Sequence, residues 1–230
     1  MSDIPDLPQQ GPDFDTWMQP DVLCGPVAVS NSLAALEGLD ENAQIALVAR
    51  LARIMFTSYR GGTAPRGITA GVWRYLQERD VDNFTLRYRG WRRVNERFQD
   101  MGHLSLEWLH QGLGERSAVW LNLGFYSEIV PGYLKRESGH WVTLRGYAGG
   151  RLIINDPGPW VAVESPLPVT ARRPLLTRDA FDQHTFRPEL LELSGYPVPH
   201  GERALIDGAV VLRLASSGEP DSKGSAPTRD

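Results

Sequence analysis

The sequence predicts an α+β domain, with N-terminal helices packed on a mainly antiparallel sheet, and three observations carry that reading. Helix-period apolar patterns with helix punctuation occupy residues 24–79, strand-like alternation dominates from Phe84 onward, and both chain ends are polar and proline-bearing. The 230 residues suit one domain, and 41% hydrophobic with 23% charged residues is a globular composition. The expected organisation is a flexible tail over 1–13, a single domain over 14–214 and a disordered tail over 215–230.

Each element has its own warrant. Pro26 suits the first turn of a helix, which runs through Val29, Leu33 and Leu36 to a stop at Gly38. Its other faces carry Val27, Ala28, Ala34 and Ala35, so it belongs at the centre of the fold. Asp40 can cap a second helix with a stripe of Ile45, Val48, Ala52 and Met55. Glycines 61, 62 and 67 with Pro65 break the pattern before a third helix over 69–79. Strands are predicted over 84–88, 118–123, 141–147, 151–155, 160–163 and 209–214, with a helix over 104–113. The proline-rich stretch 164–200 reads as extended loop with a short helix over 188–193.

Bulk properties exclude several function classes. A net charge of −4 argues against a chain-wide nucleic-acid field. The opening MSDIPDLPQQ has neither the basic patch nor the apolar run of a secretory signal, and no stretch reaches the ~20 apolar residues of a membrane span. A cytoplasmic protein without membrane contact is expected. The single cysteine excludes an intramolecular disulfide and any site needing several thiolates from one chain. Cys24 is therefore a buried small hydrophobe or a reactive thiol.

Three local features favour the thiol. Cys24 directly precedes a helix, whose first amides and dipole stabilise a thiolate. Gly139-His140 opens the strand-like run Trp141-Val142-Thr143-Leu144, with Trp141 placed to wall a cleft. The strand Leu152-Ile153-Ile154 runs into Asn155-Asp156-Pro157, where Pro157 ends the ladder. A three-residue loop over 148–150 pairs Tyr147 with Arg151 and sets Asp156 diagonally beside His140 on one face. A strict Gly149-Gly150 turn instead gives that face to Asn155, which stays in reserve as the orienting group. Nucleophile, base and orienter then follow in chain order.

These strings, Cys24-Gly25-Pro26, Gly139-His140-Trp141-Val142 and Asn155-Asp156-Pro157, resemble the papain-like cysteine peptidases. Within them the resemblance is nearest to the double-glycine leader peptidases of bacteriocin-processing transporters and their stand-alone bacterial relatives. It covers about residues 15–165. The resemblance implies a papain-like fold, Cys24 as nucleophile, His140 as general base and Asp156 as its orienter. It further implies Gln19 as an oxyanion donor, although the family's usual spacing of six positions is five here. A peptide or protein substrate is expected, and neither metal nor organic cofactor is called for.

Each piece alone has an ordinary structural reading: a core cysteine, a packed strand histidine, a turn-initiating Asp-Pro. The ordered set points to a thiol hydrolase. The same triad also serves transpeptidation, transglutamination or deamidation. A rival of another class is a binding module on a degenerate peptidase fold, docking acidic or nucleic-acid partners through Arg87, Arg89, Arg92, Arg93 and Arg97. His103 and His110, seven positions apart, lack the ligand cluster of a zinc site.

Overall fold

Three helices form one layer of the computed structural model, which describes residues 6–10, 13–14, 18–130, 133–158, 166–173, 190–198 and 202–215. A single 3-10 turn, Pro20–Val22, leads into α1 (Cys24–Glu37). This helix starts at Cys24, two residues before Pro26, and stops at Gly38, whose φ of 66° is the left-handed cap. In α2 (Glu41–Ile54) the Asp40 side chain accepts the Ala43 N–H at 2.8 Å. Helix α3 (Pro65–Gln77) begins at Pro65, four residues earlier than the pattern suggests. A proline at the first helical position costs no hydrogen bond.

The second layer is a sheet of seven strands: β1 (Phe84–Gly90), β2 (Ser117–Val130), β3 (Tyr133–Ala148), β4 (Arg151–Asn155), β5 (Leu167–Arg172), β6 (Leu191–Ser194) and β7 (Arg203–Leu214). A short helix, α4 (Leu106–Gln111), separates β1 from β2. The order is β1-β7-β2-β3-β4-β5-β6, all antiparallel, and β6 returns to pair with β7. The first half of β7 therefore pairs β6 and the second half pairs β1. Strands β2 to β7 close into a barrel, which removes the edges an open sheet would expose. An α+β fold results, as the sequence predicts.

Closure corrects one expectation. Residues 167–172 and 191–194 are strands, not extended loop or helix. Pro168 and the short length of both runs obscure their alternation, and pairing with neighbours decides the outcome. Strands β2 and β3 also run far beyond 118–123 and 141–147, as a long hairpin whose outer part carries Ser127, Glu128, Lys135, Arg136 and Glu137. The strand expected over 160–163 lies outside the described residues, as does all of 215–230 except Ala215.

The two faces of the barrel wall have different cores. Val119, Leu121, Leu123, Phe125, Val142, Leu144, Ile154, Val169, Leu193 and Ile206 fill the inside. Ala118, Trp120, Trp141, Val210 and Leu212 face outward onto α1–α3 with Val29, Leu33, Leu51 and Val72. Residues 6–10, within the stretch expected to be a tail, are instead packed. Leu7 exchanges hydrogen bonds with the Asn31 side chain on α1, and the Gln9 N–H donates to Pro157 O at 2.9 Å. Among the described residues no helix is long and apolar enough to cross a membrane.

Besides one at Ile129 near the tip of the β2–β3 hairpin, three one-residue bulges set which side chains face which way around the site. They fall at Glu137 in β3, at Asp207 in β7 and at Arg145 in β3. The β3–β4 turn is the two-residue Gly149-Gly150 form, with φ of 57° and 78°, and pairs Ala148 with Arg151. The three-residue loop is thus wrong, yet its consequence stands. The bulge at Arg145 shifts the ladder by one, so Leu144 faces Ile154 and Thr143 faces Asn155. Asp156, one position on, falls on the face of Val142 and His140.

Candidate active site

Cys24 enters the site from the helical layer. Of the first amides of α1, Pro26 has none and the Val27 N–H donates to Leu23 O. No side chain caps the helix start. The Cys24 and Gly25 N–H groups are left at the positive end of the helix, beside the sulfur. Gly25 is required by packing: a Cβ there would lie 2.9 Å from Thr63 Cβ and 3.0 Å from Thr63 Oγ1. Thr63 cannot yield, because its hydroxyl meets Thr57 Oγ1 at 2.7 Å and its carbonyl accepts the Trp141 indole N–H at 2.7 Å. Gly25→Ala is expected to lower stability by about 1–3 kcal/mol, seen as an earlier midpoint in urea unfolding.

His140 comes from the barrel wall. It lies in the middle of β3, which starts at Tyr133, rather than opening a strand. The ring stacks on Phe125 at 6.3 Å between centroids, and Phe125 stacks in turn on Tyr196 at 6.0 Å. Its Nε2 donates to Asp156 Oδ1 at 2.6 Å, which leaves the other ring nitrogen for the Cys24 side chain, its second hydrogen-bond partner. Burial alone would lower the ring's pKa. The Asp156 charge and hydrogen bond, joined by Cys24, outweigh that and push it up from 6.5 to about 10. The resting ring is an imidazolium at neutral pH.

Asp156 is held on both oxygens. Oδ1 accepts from His140 and from the Gly158 N–H at 2.7 Å, and Oδ2 accepts the Tyr196 hydroxyl. Burial would raise its pKa, but the His140 charge and these hydrogen bonds hold the carboxyl below its ordinary 3.8. A buried charge pair is tolerable only when its remaining lone pairs and protons are also satisfied, and here they are. Asn155 is fully buried on the other face of β4, next to Thr143. It does not share the His140 face.

Above the sulfur lies a cleft of about 370 Å³, within the range of ligand sites. One wall is the loop from Arg60 to Pro65, the other Arg136-Glu137-Ser138-Gly139 with Asn122, Trp141 and Arg92. Of the three aligned residues only Cys24 lines this space; His140 and Asp156 are sealed behind it. Gln19 is not brought to them. It is exposed, precedes the 3-10 turn and receives the Val22 N–H on its carbonyl at 3.2 Å. The turn at Pro20–Val22 takes up the short spacing and leaves Gln19 off the cleft wall.

The five arginines of 87–97 do not act as one surface. Arg87 bonds Arg97 O, Arg89 pairs with Asp100 and covers Trp108, and Arg97 covers Trp73 and Phe98. Arg92 alone among them lines the cleft. His110 lies against the Tyr147 ring, and the described residues contain no group of three or more His, Cys, Asp or Glu that could hold a metal ion. Tyr196, Phe125, Asn122 and Thr63 have no signal of their own in the sequence as site residues. No protein-family model and no curated protein matches this sequence.

Proposed function

We propose that the protein is a papain-like thiol hydrolase that cleaves peptide or amide bonds. The observation that carries this reading is the hydrogen-bonded line Cys24–His140–Asp156, ending with the sulfur on the floor of a cleft. Its members come from separate elements, α1, β3 and the residue after β4. A buried imidazolium between a carboxylate and a thiol is the arrangement that nucleophilic sulfur chemistry needs.

In the proposed reaction the Cys24 thiolate, whose proton is held on His140, attacks the substrate carbonyl carbon, and the carbonyl electrons move to oxygen. The Cys24 and Gly25 N–H groups at the start of α1 receive that oxyanion, in place of the Gln19 amide. The tetrahedral species collapses to a thioester as His140 gives its proton to the leaving amine. Water then attacks the thioester, His140 takes its proton, and the acid leaves as the thiolate–imidazolium pair is restored. Asp156 holds the ring orientation throughout, and Tyr196 holds Asp156.

Peptide-library hydrolysis by the purified protein tests the reading. Cys24→Ala, which removes the sulfur with little change of volume, is expected to reduce turnover by at least about 10³-fold. Cleavage unchanged in that variant overturns the assignment.

A further inference from the structure

The Arg136–Asp207 pair lies across two glycines that face each other in the sheet. Gly124 and Gly139 are cross-strand partners, and a Cβ on each would lie 2.6 Å from Asp207 Oδ2 and 2.2 Å from Arg136 Nη2. Asp207 is thereby laid against β2, and Arg136 against β3, the strand that carries His140. Asp207 is fully buried and sits at the β7 bulge, where its Oδ1 accepts the Tyr126 hydroxyl at 2.6 Å and its Oδ2 accepts Arg136 Nε at 2.7 Å. Arg92 stands beside this pair on the cleft wall, stacked on Trp91 at 4.3 Å and half-buried.

The carboxylates around the cleft are bonded to partners other than Arg92. Glu137 is bonded by Lys135 and Ser127, Asp207 by Arg136 and Tyr126, and Asp21 by the Gln10 side chain. Among the described residues no carboxylate forms an ion pair with Arg92. Burial and the neighbouring Arg136 charge both hold its pKa below the ordinary arginine value. A half-buried cation on the cleft wall, next to a second guanidinium held in orientation by Asp207, has the chemistry that suits a carboxylate.

We propose that Arg92, with Arg136 fixed by Asp207, selects substrates carrying a carboxylate beside the scissile bond. The carboxylate comes from a glutamate or aspartate side chain or from a free C-terminus. This specificity rests on the hydrolase reading above, but the charge wall itself is tested without turnover. The probes are iodoacetate and iodoacetamide, which alkylate the same Cys24 sulfur and differ in charge. At low salt the ratio of their rates is expected to fall roughly fivefold in Arg92→Gln and to be retained in Arg92→Lys. An unchanged ratio in Arg92→Gln overturns the proposal even in a protein that cleaves peptides.

The second arm uses peptides. An internal-glutamate peptide with an amidated C-terminus is compared with its glutamine twin, and a neutral peptide with a free C-terminus is compared with its amide. Preference for one carboxylate form, lost in Arg92→Gln, supports the proposal and identifies the source. Equal cleavage within both pairs overturns it. A ratio that falls as expected in a protein that cleaves no peptide upholds the charge wall and defeats only the hydrolase reading.

Discussion

His140→Ala is expected to slow alkylation of Cys24 by iodoacetamide at pH 7 by about 30- to 100-fold. The imidazolium hydrogen-bonded to Cys24 stabilises the sulfur's negative charge as it attacks, so its loss slows the reaction. In the wild type Asp156 and Cys24 raise the ring's pKa to about 10, and in the proposed reaction that proton goes to the leaving group. Because the chain holds one cysteine, the labelled fraction reports this sulfur alone. His103→Ala, at an exposed position away from the cleft, serves as the control and is expected to label at the wild-type rate. Equal rates for His140→Ala and wild type would show that the ring does not activate the sulfur. Intact mass measured over a time course reads both rates.

The second large effect is expected from Asp156→Ala. This change strands the Tyr196 hydroxyl, the Gly158 N–H and one nitrogen of a buried ring. Breaking such a pair costs about 3–5 kcal/mol. Turnover should fall about 10³- to 10⁴-fold as the imidazole loses both orientation and its anionic support. The pH dependence of stability follows from the two shifts. His140, raised from 6.5, contributes stability that is fully present below pH 6.5 and is lost as pH rises towards about 10. Asp156, lowered from 3.8, contributes stability that is present above pH 3.8 and is lost as pH falls through its native value. The pair is thus most stabilising between about pH 4 and 6.5. Urea midpoints across pH should rise and fall around that window in the wild type and flatten in Asp156→Ala. Matching profiles in the two proteins would contradict the pairing.

Much of the site was legible because its parts carry local signals. Cys24 opens a helix marked by Pro26 and Gly38, His140 lies in an apolar alternating run, and Pro157 follows the end of β4. These are short-range patterns, and the helices and the central hairpin follow from them. The closed barrel was not legible. Residues 167–172 and 191–194 become strands only by pairing with β4 and with β7, and no local period encodes a partner so distant in the chain. Tyr196 has no local signal for the same reason: it meets Asp156 from 40 positions away, just past the end of β6, with no recognisable motif around it. Gln19, one position short of the family's usual spacing, is exposed and off the cleft wall, where one 3-10 turn redirects the chain before Cys24. The long outer hairpin was cut short because its charged residues mask the strand period. Those same residues, Arg136 above all, supply a wall of the cleft.

The extra residue at Arg145 has an evolutionary meaning. With a two-residue turn at Gly149-Gly150, counting back along an unbroken ladder sets Asn155, not Asp156, on the face of His140. The choice between a carboxylate and a carboxamide beside the imidazole is therefore stored in the length of β3 rather than in the codons for 155 and 156. Losing one residue at 145 would exchange the two in a single event, with both side chains already in place. An insertion at the turn would restore the present arrangement.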